Sequence, residues 1–298
     1  MRSMIAVGVT DTPAARAALR WALRHAARTD RGVELLHVVA ARASAADREA
    51  GSRLLAEALG IASRGAPAVT ATVRLLHGDV VQQILGASSM AGLLVLGSSG
   101  GDAVGRGIRR TVLTGARCPT VLVPAADRLF PHGFVVGADR SPSGLAALAF
   151  AASEAAASGQ RLTLVRSWFF EGQVDDSRRS AVLGEAARRA ADAVLAELQD
   201  AVRTRHHDVL VDIRSVHGPL VEVLGEASVH ADLLVLGATS GRAPAAVLPV
   251  GGTPVAIVHG HETEPVADAP WDDAVSEGWS DLGERRRATG FGSAAISA

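Results

Sequence analysis

The sequence predicts two tandem α/β domains, each a parallel sheet packed between helices. Three observations carry this. The chain of 298 residues repeats itself once. Within each copy, short apolar runs alternate with Ala-rich stretches of helical composition. Many of the apolar runs have no polar face, as strands buried on both sides of a parallel sheet require.

The repeat is ordered along the chain. "VGVTDTPAARAAL" (7–19) returns as "VGADRSPSGLAAL" (136–148), 129 residues later, and "VELLHV" (33–38) returns as "LTLVRS" (162–167) at the same offset. "HGDVVQQIL" (77–85) and "AGLLVLGSS" (91–99) return at an offset of 140, as "HGPLVEVLG" and "ADLLVLGAT". "CPTVLVP" (118–124) pairs with "TPVAIVH" (253–259) at 135. A period this long is a duplicated domain rather than a solenoid of small units. The expected units are residues 1–126 and 132–260, with 261–298 outside the repeat.

Each element has its own signal. "MIAVGV" and "FVVGA" are first strands, short and apolar. A proline follows each, and its fixed φ suits the first turn of the helices expected at Pro13–Thr29 and Pro142–Ser158. "VELLHVV" and "RLTLVRSW" are second strands. "SAADREAGSRLLAEALGIAS" and the longer "SRRSAVLGEAARRAADAVLAELQDAVRTR" are second helices. "VTATVRLLHG" and "DVLVDIRSVHG" are third strands, each ending on His-Gly at His77 and His217. "DVVQQILGASS" and "PLVEVLGEASV" are third helices, and "GLLVLG" and "DLLVLG" fourth strands. "PTVLVP" and "TPVAIVH" close the copies as fifth strands. Right-handed crossovers then give a doubly wound sheet, whose ligands bind at the carboxyl ends of strands. Each copy would leave its last strand at an edge. An exposed edge invites pairing, so the two last strands are expected to meet in an intrachain pseudo-dimer.

Composition narrows the function. The net charge of -1 argues against a nucleic-acid or anionic-membrane role. All 30 cationic side chains are Arg. Without Lys there is no Walker A loop and no Schiff-base chemistry. Cys118 is the only cysteine, which excludes an intrachain disulfide and a Cys-rich zinc site. The N-terminus reaches Asp11 before a signal-peptide apolar region forms, and no apolar run approaches the ~18 residues of a membrane span. A cytoplasmic location is the expectation. Residues 261–298 are acidic before a triple Arg, carry two prolines and lack helical periodicity, so this tail is expected to be poorly ordered.

The ordered set "VGV-D-T-P", "LLHVV", "HGD…IL", "LLVLGSSG" and "CPTVLVP", partly repeated, resembles the universal stress protein family in tandem form. The resemblance implies a flavodoxin-like, Rossmann-like fold with five parallel strands per domain. It also implies pairing of domains through their last strands. Nucleotide-binding members hold ATP with a Gly-2x-Gly-9x-Gly-Ser/Thr loop after the fourth strand and an Asp ending the first. Such a loop makes physical sense, because glycines let main-chain N–H groups converge on an anion beside a helix N-terminus.

Carried onto this chain, the resemblance places an adenine-nucleotide site on Thr10, Asp11, Val38, Gly97, Gly100, Gly107 and Thr111, with Asp139 and Gly237 as counterparts in the second copy. Both copies depart from the pattern. Copy 1 has Thr10 at the Asp position, with Asp11 one step along. By count its third glycine is Arg110, followed by Thr111; aligned back from Cys118-Pro119, the pair becomes Arg106-Gly107. Copy 2 keeps Asp139 and Gly237, but Ser240 and Val250 replace the other glycines, and Pro244 and Pro249 remove backbone donors. One copy keeps the front of the loop and the other keeps the Asp.

No nucleophile–base arrangement and no metal-binding spacing is visible. The expectation is a non-enzymatic regulatory protein of the stress response that presents a folded pseudo-dimer to a protein partner or forms a homodimer. ATP or another adenine nucleotide would bind weakly in copy 1 and be lost from copy 2. The competing readings are a true nucleotide sensor working through copy 1 and an ATP-hydrolysing enzyme.

Overall fold

The computed structural model describes residues 4–98, 103–126, 132–168, 177–238 and 252–260, the side chains of 103–106 and 177–181 excepted. The predicted tail at 261–298 and the loop after Gly237 lie outside the described residues.

Copy 1 runs β1 (Ile5–Gly8), α1 (Pro13–Thr29), β2 (Val33–Val39), α2 (Ala45–Gly65), β3 (Ala71–His77), α3 (Val80–Ser88), β4 (Leu93–Ser98), α4 (Ala103–Gly115) and β5 (Thr120–Pro124). Copy 2 runs β6 (Phe134–Gly137), α5 (Pro142–Ser158), β7 (Leu162–Trp168), α6 (Ser177–Arg205), β8 (Val211–His217), α7 (Leu220–Ser228), β9 (Leu233–Ala238) and β10 (Val255–His259).

Local chemistry sets the helix starts. Thr12 caps α1, its hydroxyl accepting from Ala15 N at 3.2 Å, and Ser141 does the same for α5 from Gly144 N at 3.0 Å. Proline fills the first turn of both. Ser44 and Asp47 form a reciprocal capping box at α2, and Asp79 caps α3. The first helices also stop alike, on a left-handed residue: Asp30 (φ 53) after α1 and its repeat counterpart Gly159 (φ 64) after α5.

The strands form one ten-stranded sheet in the order β3-β2-β1-β4-β5-β10-β9-β6-β7-β8. Within each copy every neighbour is parallel. The one antiparallel pair is β5 with β10, Val255 facing Leu122 and Ile257 facing Thr120. The last strands therefore meet within the chain and cover each other's edge.

Alternation along each strand splits the core in two. Ala6, Leu36 and Leu94 turn to α3 and α4, where Ile84, Ala87, Val112 and Cys118 close over them. A second cluster crosses the seam: Leu113 of α4 and Leu122 of β5 pack with Val255, Ile257, Leu234 and Leu224 of copy 2. On the opposite face α1 and α5 lie against each other. Trp21 of α1 is buried there, and its indole N–H donates to the main-chain oxygen of Asp232 at 3.2 Å.

Candidate functional site

The predicted site lies at the carboxyl ends of β1 and β4, beside the start of α1. Gly97 ends up there for a packing reason. A Cβ on Gly97 would stand 2.5 Å from Ala15 N and 2.6 Å from Ala14 C, so a side chain has no room between β4 and the first turn of α1. Gly237 is placed the same way in copy 2, its missing Cβ 2.4 Å from Ser143 C. Both glycines let a helix start sit directly on a strand.

The carboxylates near these ends are already engaged. Asp11 pairs with Arg16 one turn into α1, and both are exposed. Thr10 lies 3.1 Å, hydroxyl to hydroxyl, from the capping Thr12. Asp139 accepts from Ser141 N at 2.7 Å through Oδ1. That oxygen lies over Gly144, where a Cβ would come within 2.2 Å of it. Asp139 therefore shapes the turn into α5, an Asx-type contact. Val38 is half-buried and packs on the cluster of Ala6, Leu36 and Leu94.

The connection after β4 differs from a long glycine loop. β4 ends at Ser98 and α4 begins at Ala103, leaving four residues between them. Gly100 is one of these and lies outside the described residues. Gly107 and Thr111, each put at the end of the loop by one of the two alignments, are both inside α4. Thr111 donates its hydroxyl to Gly107 O at 3.1 Å, four residues back along the same helix. At 1.5 Å per residue, Thr111 stands about 12 Å along the axis from the helix start. Arg110 is exposed and Arg109 half-buried on α4. The physical reason for the difference is local: Ile108, Val112, Leu113 and Ala116 recur at helical spacing and give this segment a face to bury.

Two further residues mark the strand ends. His37 Nδ1–H donates to Val9 O at 2.8 Å, and Arg166 donates to Ala138 O at 2.9 Å. His37 and Arg166 are equivalent positions of the repeat, as are Val9 and Ala138. Each copy thus ties the carbonyl just past its first strand to a basic side chain on its second. The signal in the sequence was the constant offset of 129, applied to residues of different type. At the far ends, the Trp168 and His217 rings meet at 4.6 Å where β7 and β8 finish. Among the described residues no group of three or more His, Cys, Asp or Glu is arranged to hold a metal ion. Among them, too, no helix is long and apolar enough to cross a membrane.

A model of the universal stress protein family matches residues 1–124 and again residues 133–270. The chain belongs to that family. A universal stress protein of Mycobacterium tuberculosis is 28% identical over 270 residues, covering 83% of this chain and 90% of the relative. One of Mycobacterium bovis is 27% identical over 278 residues, covering 86% and 93%. The crystal structure of a universal stress protein from Archaeoglobus fulgidus superposes with a TM-score of 0.63 at 15% identity, over 88% of this chain and 98% of that one. This last likeness is one of fold, and it spans both copies. This universal stress protein therefore has the tandem organisation along its whole described length.

Proposed function

We propose that this chain is a non-enzymatic regulatory universal stress protein. Its first copy, residues 1–126, would keep a low-affinity adenine-nucleotide site, and its second, residues 132–260, would have lost one. The observation that carries the reading is the four-residue connection between Ser98 and Ala103, with Gly107 and Thr111 taken into α4. A phosphate cradle needs several main-chain N–H groups free to converge, and those of an established helix interior are bonded to its own carbonyls. The start of α4 still offers free donors and a favourable dipole to an anion. The pairing of Asp11 with Arg16 supports the same reading, since a ligand at that carboxylate would compete with a guanidinium one turn away. A charge-assisted hydrogen bond is worth about 1.5–3 kcal/mol, so its loss lowers affinity by about 10- to 150-fold.

Calorimetry of the purified full chain with ATP tests this at low and physiological salt. Weak, salt-sensitive binding with little preference for the base is the expected result. Tight, adenine-selective binding, or nucleotide carried through purification in stoichiometric yield, would overturn it in favour of a nucleotide sensor.

A further inference from the structure

The seam between the copies carries a buried cluster that the nucleotide question does not involve. His25 of α1 and Glu154 of α5 are the same position of the repeat, 129 residues apart. They touch, His25 Nε2 to Glu154 Oε2 at 2.7 Å, with side chains 1% and 3% exposed. Equivalent residues in contact must sit at the pseudo-two-fold axis. Around them, Arg31 reaches Glu154 Oε1 at 2.7 Å and Arg28 reaches Asp232 Oδ2 at 2.6 Å. Trp21 stacks on His25 with ring centroids 4.8 Å apart, and Phe134 of copy 2 closes the other side.

The counterparts of the flanking ions are not charged. Arg28 corresponds to Ala157, Arg31 to Gln160 and Asp232 to Gly92. Copy 1 therefore brings the cations to the seam and copy 2 brings the acids. Pairing copy 1 with a second copy 1 would set His25 on His25, with Arg28 and Arg31 facing no carboxylate. Pairing copy 2 with a second copy 2 would bury Glu154 against Glu154, with Asp232 facing the methyl group of Ala157 in place of a guanidinium. A buried charge left without its partner is strongly destabilising, and two like charges at contact add repulsion.

We propose that these diverged charges make the seam selective: the copy 1 face accepts an acidic seam face of the copy 2 type and rejects a second copy of itself. The sheet edges alone do not discriminate, because β5 and β10 are both short apolar strands whose main-chain groups would pair with either. The buried ions supply the choice.

The test uses three versions of the full chain. H25E/R31Q puts a carboxylate on both faces at the axis, and E154H/Q160R puts a histidine and an arginine on both, with the Arg28–Asp232 pair kept throughout. The combination of all four substitutions exchanges the axial charges between the copies. Each two-substitution chain alone should melt roughly 5–10 °C below the natural chain. Mixed one to one, the two should form a species of twice the 30.6 kDa chain mass that melts above either chain alone. In that species each seam again pairs a basic face with an acidic one, and Arg28 still meets Asp232. The four-substitution chain should stay at single-chain mass and melt above both two-substitution chains, short of the natural value only by the bond that Gln160 Oε1 accepts from Gly133 N at 2.7 Å. Two-substitution chains that remain single with unchanged melting would overturn the proposal. So would a four-substitution chain that melts as low as either of them, which would mean that shape rather than charge complementarity fixes the seam.

Discussion

Gly97 lies so close to Ala15 that a single added carbon would stand 2.5 Å from its main-chain nitrogen. The neighbour is backbone of a capped helix and has little freedom to move. Gly97→Val should therefore destabilise the nucleotide-free protein by about 1–3 kcal/mol or more, the range for overpacking a filled site. Thermal melting of the unliganded protein checks this. Gly237→Val should behave alike, because its neighbour is Ser143 C at 2.4 Å. Lost nucleotide binding in such a variant would then report a displaced helix, so affinity is better probed at the exposed Arg110.

Glu154 is deeply buried, and burial by itself pushes its carboxyl upward. The hydrogen bond from His25, the charge of that ring and the Arg31 guanidinium outweigh burial and hold it below the usual value of 4.5. The sign follows directly. The unfolded chain takes up the proton first, so this contribution to stability is complete above 4.5. It is lost as pH falls through the depressed folded value. Glu154→Gln should cost about 3–5 kcal/mol at neutral pH, the range for removing one partner of a buried pair. Urea unfolding of both proteins from pH 7 to 3 should show that gap narrowing only toward the acid end. A gap that closes already near pH 6 would contradict the assignment.

Cys118 is buried behind α3 and α4, and burial pushes its thiol from 9.0 up to about 12. At pH 8 the thiolate should be about a thousandfold rarer than in an exposed cysteine, and the thiolate is the reacting form. Alkylation of the native chain should therefore be slower by at least that factor, with full reactivity returning in denaturant.

Thr12→Ala and Ser141→Ala each remove the side chain that caps a first helix. Each should cost about 1 kcal/mol. Ser141→Ala leaves the bond to Asp139 intact, since the donor there is the Ser141 main-chain N–H. Chemical denaturation of the two single variants and the double variant should give additive losses, because the helices are capped independently.

Much of this architecture was legible because its signals are local. Proline in the first turn placed α1 and α5 at Pro13–Thr29 and Pro142–Ser158, and the Arg/Ala-rich run placed α6 at Ser177–Arg205. The β5–β10 seam followed from two apolar edges that need covering. In the segment after β4 the family spacing points to a loop, while Ile108, Val112 and Leu113 carry a helical period. The local period prevails. The family pattern marks Asp139 and Asp11 by position, and position does not reveal their contacts with Ser141 N and Arg16. The contact of His25 with Glu154 was hidden for a different reason. A repeat is recognised by its identities, and this pair is informative because it differs.

The antiparallel join of β5 to β10 has a consequence for how the molecule is approached. All strands of copy 1 run one way and all strands of copy 2 the other, so their carboxyl ends emerge at opposite ends of the shared sheet. The strand end at Gly97 and the strand end at Gly237 therefore point in opposite directions. A small molecule held at one strand end would not reach the other. Duplication has thus set the two halves back to back, each with its strand ends turned away from the other's.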